Sequence, residues 1–412
     1  MSIHLSSATR LVTHAGLSFE SVQDPRRRQG LRHPLRGLLS LMVLGFATAR
    51  RTPRAAEGLC EDLGPKRLRR IGLSRPISDT RLHNVTAQLK EDGFREELYR
   101  QVQRAMARGD IRNDLLPYGS LSIDGKGAGS GMGTAPNAEA RQSVCDAEGT
   151  ACWDVFALRA VLTSSLAHPC LDQMIINGKS GEATIFPALL DAVARQFDAA
   201  FRYVGSDAGL TSVSNACKVR SLGKHYYFAV KGNQPRLHQL AVDGLEDVAH
   251  VAHSFERAQG KTVERFLSCI KMPQGDVEFP DATELWRVDC VRSASAHQAD
   301  AETRYFVVSI PPGELTPEQK LLLVRRHWVI ENNSNWTADV VLGEDTRCPV
   351  NSGNGTVIVS WLNLLALNLL SILRANLTRK DKQPLAWRRV QDKIYQALFS
   401  EEDRTDTTAF PA

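Results

Sequence analysis

The sequence lacks what several familiar protein classes require. Among its eight cysteines (Cys60, Cys145, Cys152, Cys170, Cys217, Cys269, Cys290 and Cys348), no two stand at the two-residue spacing of a zinc knuckle or redox motif. Reduced thiols in a cytoplasmic protein are therefore expected. No uninterrupted apolar run reaches the roughly 20 residues needed to cross a bilayer. The run 37–49 is bracketed by Arg36 and Arg50, and the run 357–373 is interrupted by Ser360, Asn363, Asn368 and Ser371. Both are expected to be buried helices, with no membrane involved. The N-terminal residues lack the basic-then-apolar leader of an exported chain. Gly178-Lys179-Ser180 and Gly260-Lys261-Thr262 end like phosphate-binding loops, but Gln173 and Phe255 occupy the place of the required upstream glycine. No ATP dependence follows.

What is present begins with charge. The net charge of the 412 residues is +5, unevenly spread. Residues 1–118 carry 21 Lys and Arg against 12 Asp and Glu, a local +9, which leaves −4 for the remainder. A basic N-terminal part beside a mildly acidic body suits a nucleic-acid grip next to a carboxylate site. Clusters such as Arg26-Arg27-Arg28 also occur on ordinary solvated helices, so charge alone does not identify the partner.

Residues 31–109 show apolar spacing of three and four, which predicts helices. Pro76-Ile77-Ser78-Asp79-Thr80 supplies a turn and N-cap candidates before a helix near Arg81. The period changes near residue 115, which predicts a helical, basic N-terminal domain (1–115) for DNA binding. Ser120–Asp124, Trp153–Thr163 and Cys170–Asn177 read as strands; Gly125–Asp146 reads as a mobile Gly-rich loop. A helix over 181–197, a strand over Phe201–Ser206, a helix over Ser212–Ser221 and a strand over Tyr226–Val230 follow. Three strands, helix, strand, helix, strand is the order of an RNase H-like α/β core. Further strands interrupt that alternation, a β-strand insertion at about 245–312. Trp286 within it reads as a core residue in preference to a base-stacking one. From Thr316 a long helix is expected to run towards Gly343. The catalytic domain is assigned to 116–375 and a C-terminal tail to 376–412.

Phosphodiester chemistry on DNA needs an activated oxygen nucleophile and a stabilised leaving oxyanion, and two Mg²⁺ ions supply both. Magnesium takes oxygen ligands, so a few carboxylates on rigid elements suffice. Asp124 ends the first strand and Asp207 the fourth, and these strands lie side by side in an RNase H-like sheet. Glu331 lies on the long helix, with His327 and Asn335 four residues to either side on the same face. Arg325 or Arg326 is the candidate for a phosphate contact. Each acid taken alone reads equally as a turn cap or a surface charge.

With these residues in place the chain resembles the bacterial insertion-sequence DDE transposases, in the group that includes the H-repeat-associated proteins. The resemblance is carried over nearly the whole chain by Asp24-Pro25-Arg26, Ile123-Asp124-Gly125-Lys126, Ser206-Asp207-Ala208, Ala229-Val230-Lys231-Gly232-Asn233-Gln234, His327-Trp328 with Ile330-Glu331-Asn332, Gly343-Glu344-Asp345 and the run 364–370. It implies a transposase that cuts double-stranded DNA at element ends and joins the freed 3′-hydroxyl to target DNA. Asp124, Asp207 and Glu331 would hold Mg²⁺, for which Mn²⁺ substitutes. Lys126, Lys231 and Asn233 would face DNA together with Arg325, Arg326 and His327. A homodimer is implied when two ends are joined. The segment Asn333-Ser334-Asn335-Trp336 departs from the family pattern, as does Gly127-Ala128-Gly129 after Asp124. A second expectation is therefore a catalytically inactive, transposase-derived DNA-binding protein, and a third a nuclease without end specificity.

Overall fold

The computed structural model describes residues 17–27, 31–144, 149–176, 178, 181–258, 261–273, 275, 279–295 and 298–400. The chain divides into two compact units, one of 1–111, 128–154 and 337–412, the other of 112–127 and 155–336.

The first unit is mostly helical. Helices α1 (Leu35–Ala47), α3 (Asp79–Gln88) and α4 (Phe94–Ala107) pack on α9 (Gly355–Asp381), as does α10 (Trp387–Phe399), while α2 (Pro53–Leu68) packs against α1 and α3. The apolar run of α9 is long enough to span a membrane, yet its most apolar window is wholly buried. The interrupting polar residues explain why it is a core helix: a neighbouring side chain can reach its backbone, and Gln101 of α4 donates from Nε2 to the Leu365 carbonyl at 2.9 Å. Asp110 receives Asn376 Nδ2 at 2.8 Å and Arg379 Nη1 at 2.7 Å. The tail thus carries an ordered helix, whose Trp387 ring lies under Arg374 at 4.5 Å.

The second unit is built on strands; residues 128–132, 141–144 and 151–154 of the sheet that follows belong to the first. β1 (Ser120–Met132), β2 (Arg141–Val144), β3 (Ala151–Leu162), β4 (Cys170–Ile176), β5 (Tyr203–Ser206), β6 (His225–Val230) and the meander β7 (Ala252–Ala258), β8 (Lys261–Lys271), β9 (Glu284–Ser295), β10 (Gln298–Val308) form one mixed sheet. Its order is β2-β3-β1-β5-β6-β10-β9-β8-β7, with β4 paired to β3. Helices α5 (Glu182–Phe197), α6 (Val213–Ser221) and α7 (Pro235–Leu245) connect strands, and α8 (Pro317–His327) follows β10. The parallel register of β1 and β5 runs from Ser120 against Tyr203 to Ile123 against Ser206. The meander extends the same sheet, because β10 pairs antiparallel with β6. Tyr203, Tyr227, Trp286, Phe306, Leu323 and Val324 share one buried core, where Trp286 is fully enclosed.

Three expectations are corrected. The Gly-rich stretch is a continuation of β1 as far as Met132, not a mobile loop. Its glycines answer close approaches: a Cβ on Gly125 would lie 1.9 Å from Glu182 Oε1, and one on Gly131 would lie 2.3 Å from the Trp153 ring. The helix beginning at Thr316 starts as predicted, with a reciprocal capping box between Thr316 and Gln319. Beyond His327, however, it widens into π-helical turns at Ile330–Asn335 and Thr337–Val341, so the four-residue face that Glu331 was to share with its neighbours is not kept. Finally, Cys152 is disulfide-bonded, whereas Cys60, Cys170, Cys217, Cys269, Cys290 and Cys348 are free thiols and Cys145 lies outside the described residues.

Leu365 is fully buried in α9. Leu365→Ala is expected to lower the unfolding free energy by about 2–5 kcal/mol, the cost of a cavity in a packed core. Chemical denaturation measures it, and a change within about 0.5 kcal/mol, the scatter of surface substitutions, would refute the central place given to this helix.

Candidate metal and DNA site

Strand β1 enters the core through Leu121 and Ile123, both fully buried, and delivers Asp124 half-buried at the next position. Strand β5 is buried along its whole length and delivers Asp207 directly after Ser206. Because Ile123 pairs with Ser206, the two aspartates emerge side by side, each one residue past the last paired position. Asp207 is held in its turn by Leu210 N, which donates to Oδ1 at 3.2 Å. Asn335 Nδ2 donates to Asp124 Oδ2 at 3.1 Å.

The electrostatics place further carboxylates nearby. The Asp124 carboxyl is raised to about 7, chiefly by burial and then by the negative charges of Asp207, Glu331 and Glu182. Glu331 is itself exposed in the π-helical turn and raised, first by burial, while Arg304 and Lys231 oppose the shift and Asp207 adds to it. Glu182, at the start of α5, was missed by the sequence reading. Its only signal was an acid in the first turn of a helix, which ordinarily means a favourable helix-dipole position. Arg304 was missed because a strand residue beside an aromatic reads as packing, and it does lie over the Trp328 ring at 4.1 Å.

No three His, Cys, Asp or Glu groups among the described residues stand close enough to hold a metal ion in this conformation. The aspartates are brought together; Glu331 is in their electrostatic neighbourhood without joining them as a third ligand.

The residues expected to face DNA separate sharply. Lys231 is exposed in the turn after β6. Asn233, also exposed, spends its Nδ2 on the Ala208 carbonyl at 2.6 Å, tying that turn to the one holding Asp207. Lys126 is 7% exposed on β1, too enclosed to meet a duplex. Arg325 pairs with Glu256 on β7. Arg326 donates to the Thr163 carbonyl at 2.8 Å and contacts His168, and burial lowers its pKa to about 10. His327 is 2% exposed and burial pushes it down to about 4. Its Nδ1 lies 3.3 Å from Ser122 Oγ, and its ring meets Tyr227 edge-on. The arginines therefore act as struts between α8 and neighbouring strands, and the neutral imidazole is core. Their predicted phosphate contacts are corrected accordingly.

Residues 149–369 match the transposase DDE domain family, and the chain belongs to it. Two similar proteins of Escherichia coli strain K12 are YbfL and the H repeat-associated YhhI. Each is 28% identical over 244 residues, covering 55% of this chain and 62% of its own length. The chain thus spans less than two thirds of these relatives. A piggyBac transposase synaptic complex with hairpin DNA is similar at 12% identity and a TM-score of 0.48, covering 98% of this chain and 83% of that one.

Unfolded, Asp124 would titrate near 3.8; folded, it holds its proton to about 7. Between these values the folded state binds more protons, so the cation-free protein should lose stability as pH rises from about 4 to 7, by on the order of a few kcal/mol. Asp124→Asn should flatten that decline. Thermal melts of both proteins in chelator from pH 5 to 8 test it, and parallel curves would show that the aspartate is not the source.

Proposed function

We propose that this chain is a DDE transposase that cuts DNA at insertion-sequence ends and joins the freed 3′-hydroxyl to target DNA. The observation that carries this reading is the pair Asp124 and Asp207 at the ends of adjacent parallel strands, where burial first and the neighbouring Asp207 charge second raise the Asp124 carboxyl. The order β4-β3-β1-β5-β6 within the sheet supports an RNase H-like core, with β7–β10 as its insertion. The helices of 1–115 would be the DNA-binding domain, 116–375 the catalytic domain and 376–412 the tail.

Asp124 and Asp207, with Glu331, would hold the divalent cation, Mg²⁺ or in its place Mn²⁺. The donor set fits a hard cation: every donor is an oxygen, and the carboxylates repel one another in the absence of a positive charge between them. A cation bound there would activate the attacking oxygen and stabilise the leaving one. The protein's own part is positional. The two strands fix the aspartates, Asn335 orients the Asp124 carboxylate, and Lys231 with Arg304 offers positive charge beside Glu331 for a phosphate of the double-stranded DNA. Without a covalent enzyme intermediate, the 3′-hydroxyl itself would attack the target phosphodiester in line. A homodimer would bring two ends together.

A second reading is favoured by the absence of a three-acid cluster among the described residues and by the altered segment after Glu331: a catalytically silent DNA-binding protein. Plasmid carrying the flanking repeats, incubated with Mg²⁺ or Mn²⁺, separates the two. Cleavage at the repeat ends, reduced by at least about 10³-fold in Asp124→Asn and Glu331→Gln, is the expected result for catalytic carboxylates. Repeat binding without nicking would leave the silent reading, and undiminished cutting by the variants would reject the assignment of these acids.

A further inference from the structure

The first unit carries a half-open pocket of about 360 Å³ that the carboxylate chemistry does not use. Leu342 and Val359 supply apolar walls, while Arg51, Arg347, Glu344 and Asn363 supply polar ones. That is the volume and the mixed lining of a small-ligand site.

The lining is built. Arg51 Nη2 donates to the Val340 and Val341 carbonyls at 2.7 and 2.8 Å. Its approach requires Gly343, whose φ of +73° suits glycine and whose added Cβ would lie 2.7 Å from Arg51 Nη1. Arg347 is exposed, and its side chain makes no hydrogen bond or ion pair among the described residues. The strand bridge between Ser130 and Arg347, and Cys348 N donating to Ser130 O at 2.9 Å, fix the backbone that carries it. Asn363, on α9, is 5% exposed, and its Oδ1 is buried without a hydrogen-bond partner. A buried acceptor left unsatisfied is destabilising, and a ligand's donor would relieve it.

An occupant must therefore bring an anion for Arg347, a flat apolar body for the walls and an N–H donor for Asn363. We propose that this cavity takes a single unpaired nucleotide, its phosphate at Arg347 and the amino group of its base at Asn363 Oδ1. The identity of the strand rests on the transposase reading above; the chemistry of the cavity does not. Reading an extruded base by its hydrogen-bonding edge is an established solution for proteins that act on DNA.

The test measures binding of the full chain in chelator, by fluorescence anisotropy, to matched duplexes that are fully paired, carry one unpaired cytosine or thymine, or carry an abasic gap. The unpaired-cytosine duplex should bind about tenfold more tightly than the paired one, the gain expected from one charged and one neutral hydrogen bond. Arg347→Gln should erase that preference. Asn363→Leu should erase the advantage of cytosine over thymine. Arg347 is exposed, so its variant keeps the test decisive even where Asn363→Leu disturbs the core, with circular dichroism as the check on folding. Competition by free dCMP that is lost in Arg347→Gln assigns the site to a free nucleotide; competition by DNA alone assigns it to a strand. Equal binding of all duplexes with no competition by dCMP, or a preference that survives both substitutions, overturns the proposal. Chelator separates this result from failure of cleavage, which the plasmid assay reads independently.

Discussion

Two carboxylates at the ends of neighbouring parallel strands repel each other, and the surrounding structure holds them in place despite that repulsion. Burial first, and then the charges of Asp207, Glu331 and Glu182, raise the Asp124 carboxyl to about 7, with no basic side chain among the causes that oppose them. The polar groups behind the strand keep this arrangement rigid without relieving it. Ser120 Oγ meets Tyr227 Oη at 2.9 Å, Ser122 Oγ meets Thr163 Oγ1 at 3.3 Å, and His327 sits against Ser122 as a neutral ring. A protonated imidazole there would have lowered the Asp124 pKa; burial prevents it.

Helix α8 is fixed to the sheet mainly by charged groups that look functional in sequence. Lys320 Nζ reaches Glu284 Oε2 at 2.6 Å within the core, and the same oxygen accepts Trp286 Nε1 at 2.6 Å. Arg325 spans to β7 and Arg326 to the end of β3. Buried pairs of this kind add little net stability over apolar packing, but losing one partner is costly, so they restrict the positions at which the helix can dock. That restriction sets where the turn bearing Glu331 begins.

The strand order and the adjacency of β1 with β5 were legible because alternating and β-branched segments, bounded by turn residues, report the path of a buried strand directly. Asp124 and Asp207 were legible for the same reason, standing where apolar strands stop. Other features were not. Glycine marks loops by composition, yet Gly125 and Gly131 are there because Glu182 and Trp153 occupy the space a side chain would need, a tertiary fact that local sequence does not contain. Arg325, Arg326 and His327 looked like a DNA-facing patch because linear proximity to Glu331 was taken for a shared face, while each points to a different strand or into the core.

The glutamate is where helical periodicity failed most. Regular α spacing would stack His327, Glu331 and Asn335 on one side; the π-helical widening beyond His327 breaks that stack, and it is Asn335 that touches Asp124. Buried polar atoms without partners cluster in the same stretch, at Ser334 Oγ, Asn335 Oδ1 and Thr337 Oγ1. A π turn is a poorer helix than an α turn, and it persists where surrounding contacts over-determine it. Here Asn335 supplies such a contact on the aspartate side, through its hydrogen bond to Asp124. Where Glu331 stands relative to the two aspartates is therefore set by a local departure from helix geometry, so the role proposed for it depends on the turn that carries it as much as on the residue itself.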